Sequence, residues 1–481
     1  MPTQRSDLFK ALVAIAAIVA IFAPVFSYAL PTDRPAGIIL FIGDGMGINQ
    51  VRSAALYSEK VLGKPLAMDS FPTRGITTTH STSSDVTDSA AAATALSSGH
   101  KTYNRAINVL PDGRILFTIG QAAKEAGLSV GVLTTSRLTD ATPAGIYAHT
   151  KDRNEEDLIA EQFVQSGVDV ALAGGLRFFI PKGREGSKRR DDKDLVEAMK
   201  HAGYTYVTNA SELEAVDPAK TPKLFGLFAI SQMAYAIDHK RAPELSTQPD
   251  LAEMTRVALS ILGRNSRGFF AMIEGGRIDH ACHSHDIKTS ILDTLALDKA
   301  VKVGLEYQKA HPDTLILVTA DHETGGLGLG RGTEYAMDVA AVKPFNSSFE
   351  LLYKKIQKNP GDLENILKEA GFDLTPAELA LLKKHPPETK IEDISELGDR
   401  TKAPIKYAPT WGVYALGLIE SERAKVGWTS FAHTAQPVIT YAVGPGAAEF
   451  AGAYDNTDIA KKMAKLLGLT LPPPADGTPK Q

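Results

Sequence analysis

Short apolar runs punctuate the chain at Gly37 to Ile42, Val130 to Thr134, Val168 to Ala173, Phe269 to Ile273, Thr314 to Thr319 and Val438 to Val443. None alternates polar with apolar residues, so both faces of each strand are expected to be buried, as in a parallel sheet covered on both sides. Between the runs the period changes. In Ile115 to Ala126, closed by Gly127, and in Ser290 to Lys309, apolar residues recur at spacings of three and four, which predicts amphipathic helices. Alternation of this kind predicts an α/β sandwich with a central, mostly parallel sheet flanked by helices.

One stretch departs from the alternation. From about Tyr335 to Asp399 the chain is rich in Lys and Glu and lacks a buried strand. Gly371 sits where a glycine ends a helix, and Thr375-Pro376-Ala377-Glu378 is a capping box with proline at the first helical position. Residues 335–399 are therefore expected to be a helical insertion within one domain spanning residues 30–481.

The beginning of the chain has another logic. Arg5 and Lys10 precede an apolar run from Ala11 to Phe26, and Ser27-Tyr28-Ala29 places small residues at both cleavage-specifying positions. The run is about 16 residues long, whereas a membrane span needs roughly 20. Residues 1–29 thus read as a signal peptide cut after Ala29, and the protein as exported, periplasmic or secreted, with no stable membrane anchor. The proline-rich end, LTLPPPADGTPKQ, has no lipid-anchoring hydrophobic tail. A formal charge of −4 gives no reason to expect nucleic-acid binding. Cys282 is the only cysteine, so no intrachain disulfide can form. The Asn346-Ser347-Ser348 triplet is a glycosylation sequon only in a glycosylating host.

Candidate chemistry gathers where the apolar runs end. GIILFIG leads into Asp44, FFAMI into Glu274 and TLILVTA into Asp321. Ligands of a parallel α/β sheet collect outside the carboxyl ends of its strands, so these acids should converge on one cleft. Clustered like charges repel unless cations or strong partners accompany them. Histidines complete the set: EGGRIDHACHSHD supplies Asp279, His280, His283, His285 and Asp286, Asp321 is followed by His322, and His433 stands in FAHTAQPV just before a strand. Imidazole with carboxylate suits zinc, and all-oxygen sets suit magnesium.

VTDSAAAATAL is the remaining element. Its alanine-rich stretch favours a helix, with Asp88 or Ser89 at the N-terminus where a cap belongs. The same position favours a phosphoryl group on Ser89 Oγ, facing the amides of a first turn. Its local sequence does not separate these two readings.

Taken in order, FIGDGMG, TDSAAAATA, DATPAGIYAHTKDR, EGGRIDHACH, TADHETGG and FAHTAQPV resemble the motifs of the alkaline phosphatase family, from about Gly37 to Val443. The resemblance implies two zinc ions and one magnesium ion. Asp279, His283 and His433 match the ligands of the first zinc; Asp44, Asp321 and His322 match those of the second, with Ser89 as its reactive ligand. Asp140, Thr142 and Glu274 match the magnesium shell, bridged by Asp44. Asp140 and Thr142 would share one face of an extended segment. Arg153 matches the arginine that grips the phosphate, for which its planar fork is suited. Asp88 and His280 complete the substrate-binding set. His280 stands where enterobacterial members carry Lys and animal members His, while Asp140 follows the bacterial choice. Cys282, inside the zinc motif, is expected to be a small buried residue.

The implied reaction is hydrolysis of small-molecule phosphate monoesters through a phosphoserine. A phosphodiesterase or sulfatase relative on the same metal scaffold, or a non-catalytic metal- or phosphate-binding protein, are the competing readings. A homodimer is implied only by the habit of many relatives.

Overall fold

The computed structural model describes residues 34–239, 241, 243–333, 335–393 and 409–475. The expected leader, residues 1–29, and the end of the expected insertion, residues 394–399, lie outside the described residues.

Ten strands form one sheet: β1 Gly37–Gly43, β2 Thr73–Thr78, β3 Ser129–Arg137, β4 Val170–Gly174, β5 Thr205–Val207, β6 Leu224–Leu227, β7 Phe269–Gly275, β8 Thr314–Ala320, β9 Val438–Val443 and β10 Gly452–Asp455. Their order across the sheet is β10-β2-β9-β8-β1-β7-β3-β4-β6-β5. Every residue of β1, β7 and β8 is buried, as continuous apolar runs require of central strands. The register is in step: Ile42 lies level with Glu274 and Gly43 with Ala320, so the chain leaves β1, β7 and β8 at one rim.

The sheet is mixed. β9 runs antiparallel to both β8 and β2. Its start therefore lies at the same rim where the parallel strands end, and a residue just before β9 meets residues just after β8. β2, β5, β6 and β10 are absent from the apolar-run reading because they are short or alternate. In β2, Thr73 to Thr78, the buried positions are Gly75 and Thr77.

Two predicted helices shift at their starts. The first is Ile119–Glu125, because Thr118 closes a reciprocal capping box with Gln121, and Ile115 instead pairs by backbone with Val109 and Ala475. The second is Ile287–Ala310, where Asp286 accepts a hydrogen bond from the Thr289 amide. Helices Phe349–Lys358, Leu363–Glu369 and Pro376–Leu382 bury Phe349, Leu352, Leu367 and Leu382 in a cluster shared with Trp411 of helix Trp411–Ala424. Gly371 has a φ of +84°, and the Thr375 capping box forms with Glu378.

Apolar layers fill both faces of the sheet. In one, the buried Phe163 packs against three aromatic rings: Tyr147 at 5.1 Å, Phe225 at 5.6 Å and Phe179 at 6.1 Å between centroids. Truncation there leaves a cavity that rigid rings cannot fill. Phe163→Ala is expected to cost about 3–5 kcal/mol, read from the chemical-denaturation midpoint and slope.

Candidate metal centres and nucleophile

The register of the central strands delivers Asp44, Glu274 and Asp321 to one place. Asp44 directly follows β1, and the next residue, Gly45, has a φ of +69°. Gly45 lets the backbone double back so that its amide donates to Asp321 Oδ1 at 3.1 Å. A Cβ there would lie 2.8 Å from Asp279 Cα and from Thr324 Oγ1, so both conformation and space call for glycine. Asp279 comes from helix Arg277–His283, which begins almost at once after β7 and turns Asp279 and His283 to one side, four residues apart.

Two groups of potential ligand atoms result: Asp44, Asp321 and His322, and Asp279, His283 and His433, each with its atoms within 4.8 Å of one another. In the first, His322 Nε2 lies 3.1 Å from Asp321 Oδ2 and 3.5 Å from Asp44 Oδ1. In the second, Asp279 lies 3.2 Å from His283 Nε2 and 3.6 Å from His433 Nε2. The groups adjoin, since the His322 and His433 rings stack with centroids 3.5 Å apart.

Each histidine has its Nδ1 engaged behind it: His283 with the Phe431 carbonyl, His433 with the Thr87 carbonyl at 2.9 Å, and His322 with Thr324 Oγ1 at 3.2 Å. All three Nε2 atoms thus face the carboxylates. This is the usual way a protein orients imidazoles toward a metal.

The electrostatics of the protein alone are frustrated. Burial, and then Asp321, Asp279, Glu274 and Asp140, push Asp44 well above the usual carboxylate range. Burial likewise raises Glu274 to about 8, with Asp140 and Asp321 adding to it. Burial lowers His433 to about 3, and His322 adds to the effect. Against burial, His283, His433 and His322 hold Asp279 well below the ordinary value. Asp44 Oδ1 and Asp321 Oδ2 are buried and accept no well-aligned hydrogen bond, with His322 Nε2 beside them at 3.5 and 3.1 Å. Orphaned oxygens beside correctly turned imidazoles are what a cation site requires, and the donor types fit zinc at both groups.

Ser89 is the first residue of helix Ser89–Ser98, and Asp88 is its cap, accepting from the Ala91 amide at 3.0 Å. That resolves which of the two residues caps. Ser89 is 3% exposed, and its Oγ lies 3.2 Å from His322 Nε2, at the Asp44–Asp321–His322 group. Arg153 reaches the same end of the helix, 3.3 Å from Asp88 Oδ2 and 2.9 Å from Asp140 Oδ1.

Asp140 and Thr142 differ from the expected geometry. They do not share an extended strand: Asp140 caps the four-residue helix Ala141–Ala144, and Thr142 lies inside it. Pro143 is tolerated there because amides of a first turn have no intrahelical partner to lose. The Asp140 carboxylate accepts from the Ala141 amide and Arg153 on one oxygen, and from Ser136, with Arg137 3.2 Å away, on the other. Three hydrogen bonds and one ion pair thus hold the Asp140 carboxylate in place. Asp140, Thr142, Glu274 and Asp44 offer only oxygen donors, which suit magnesium, and Thr134 donates to Glu274.

His280 is adjacent to the site, and Arg277 NH1 lies 3.2 Å from its Nδ1. Since guanidinium only donates, Nδ1 accepts and the neutral ring carries its hydrogen on Nε2. Burial, then Arg277, lowers His280 to about 4. Cys282 is fully buried beside Ser290 and Gln50, and burial pushes its thiol up, in keeping with a packing role.

Sequence reasoning missed Thr324, which donates to Asp279 at 2.6 Å while its Oγ1 lies beside His322, so that one hydroxyl links the two groups. It stands within TADHETGG, and a small hydroxyl residue two positions after His322 is the signal that was there to use. The Phe431 and Thr87 carbonyls could not have been found from residue types, because every residue offers a carbonyl.

A family model described as alkaline phosphatase matches residues 36–469. Alkaline phosphatase 4 of Bacillus subtilis is 32% identical, covering 89% of this chain and 88% of its own length. An alkaline phosphatase of Schizosaccharomyces pombe is 34% identical, covering 91% of this chain and 82% of that protein. Among solved structures, the Thermus thermophilus alkaline phosphatase superposes with a TM-score of 0.78 at 30% identity, over 93% of this chain and 96% of that one. The cold-active enzyme of a Shewanella species gives 0.76 at 32%, over 90% and 99%. The match in sequence and in fold spans the strands, the helix of Ser89 and both ligand groups, and the chain belongs to the alkaline phosphatase family.

Proposed function

We propose that this protein hydrolyses phosphate monoesters to an alcohol and inorganic phosphate through a phosphoserine at Ser89. The observation that carries the reading is the placement of Ser89 Oγ, at a helix N-terminus and 3.2 Å from His322 Nε2, where the two carboxylate–imidazole groups adjoin.

Two zinc ions and one magnesium ion are the proposed cofactors. Asp279, His283 and His433 would hold one zinc, Asp44, Asp321 and His322 the other beside Ser89, and Asp140, Thr142 and Glu274, with Asp44, the magnesium. When bound, these cations supply positive charge that lowers the pKa of a hydroxyl or water and offsets charge developing on the phosphoryl group.

The chain's own residues do the rest. Ser89 Oγ loses its proton and attacks phosphorus in line, and the ester oxygen departs on the opposite side, toward Asp279, His283 and His433, taking up a proton. A water molecule then attacks the phosphoserine from the side the alcohol has left, which restores Ser89 and frees phosphate. Arg153 binds two non-bridging oxygens through its fork, and Asp88 and Asp140 hold that fork in place. His280 adds a neutral donor at the rim. The leader sequence supports export to the periplasm or the medium, and a homodimer is an additional expectation from relatives.

The test is hydrolysis of an aryl monophosphate, with a diester and a sulfate as controls. Monoester turnover is expected to dominate and to fall by about a thousandfold or more in Ser89→Ala. A phosphorylated Ser89 peptide should be recoverable by mass spectrometry after acid quenching. Prolonged chelation should abolish turnover, and zinc with magnesium should restore it; a rate indifferent to chelator and to Ser89→Ala would sink the mechanism. For Arg153→Ala, kcat/KM should fall by an amount worth about 1.5–3 kcal/mol, and Arg153→Lys should recover only part because it cannot offer the fork.

A further inference from the structure

Beside the ligand groups, and sharing His283 with them, lies a cavity of about 540 Å³. One wall is helix Arg277–His283, which contributes Arg277, His280 and His283. The facing wall is helix Phe349–Lys358 of the 335–399 segment, through Glu350, Tyr353, Lys354 and Gln357. Those four positions follow the spacing i, i+3, i+4, i+7, so they form one stripe, while Phe349, Leu352 and Ile356 on another side are buried in the apolar cluster.

The two walls are tied together. Arg277 is 5% exposed, its guanidinium lies 3.6 Å from the centre of the Tyr235 ring, and it donates to Glu350 Oε2 at 2.6 Å. Lys354 donates to Glu350 Oε1, also at 2.6 Å. Each oxygen of Glu350 thus meets one cation, which ties the helix to the facing wall while the pair of cations keeps one net positive charge.

We propose that this cavity is a leaving-group subsite for polyhydroxylated alcohols such as a sugar or polyol. The proposal rests on the phosphomonoesterase reading, in which the alcohol departs toward the group that contains His283, a residue the cavity shares. Three observations choose the class of alcohol. The cavity lies within the range that encloses small ligands. Its lining offers the amides of Gln232 and Gln357 and the phenol of Tyr353, groups that both donate and accept, as hydroxyls do. Val413 is the one aliphatic side chain in that lining, so an apolar alcohol would desolvate the amides and phenol without replacing their hydrogen bonds.

The metal-loaded enzyme tests this with three esters: a hexose 6-phosphate, hexyl phosphate of matched length, and ethyl phosphate, too short to reach the far wall. The wild type is expected to prefer the hexose ester over hexyl phosphate by about tenfold in kcat/KM, mainly through KM. In Tyr353→Phe/Gln357→Ala that ratio should collapse toward unity. Equal kcat/KM for the hexose and hexyl esters in the wild type, or a ratio unmoved by the double substitution, overturns the subsite while leaving monoester hydrolysis standing. Failure of the wild type to hydrolyse any of the three overturns the phosphomonoesterase reading, and the subsite falls with it.

Discussion

Four carboxylates, those of Asp44, Glu274, Asp279 and Asp321, are buried at one rim of the sheet, and no fold tolerates such a concentration of like charge without compensation. Everything near the rim is arranged around that constraint. The imidazoles of His283, His322 and His433 are turned by hydrogen bonds from behind so that Nε2 meets the acids. Gly45 gives its amide to Asp321 by folding back where no side chain fits. The oxygens still unanswered mark where cations would complete the balance. The site is thus less a set of ligands attached to a finished scaffold than a charge problem whose solution includes the scaffold.

A neighbouring balance involves arginines. Asp140 sits among Arg137, Arg153 and Ser136, and against the effect of burial the two arginines keep it ionised. Arg153 is consequently held by two acids, Asp88 at the cap of the Ser89 helix and Asp140 at the cap of the next short helix. A long, flexible side chain gains a defined direction in this way at the position where a phosphate would need it.

Much of this was legible before any coordinates. The buried runs marked the central strands because strands covered on both faces must be apolar throughout, and acids directly after them could only lie at one rim. His433 came to the site only through the family resemblance: it precedes its strand, and it reaches the rim because β9 runs antiparallel, which a mostly parallel reading of the runs does not contain. The margins of the sheet were not legible. β2 alternates and β5 has three residues, so neither carries the pattern of a central strand. Nor was the mode of Asp140, since the donors that occupy it, Ser136 and Arg137, differ in nothing from ordinary polar residues until β3 and the turn after it bring them close. Helix starts moved by a few residues for the same reason: a cap such as Thr118 or Asp286 is decided by one hydrogen bond, while periodicity averages over many positions.

The antiparallel course of β9 has a consequence for how the protein comes into being. That strand is wedged between β8 and β2, and His433, just ahead of it, bonds to the carbonyl of Thr87, 346 positions earlier. The backbone at His433 and Thr434 also pairs with Thr324 and Glu323, the residues that follow His322. No early portion of the chain can therefore assemble both ligand groups, and the contacts that complete them span most of its length, the kind that loop-closure entropy makes slow. Catalytic competence in such a molecule is a late event, reached when nearly the whole chain has been threaded into the sheet.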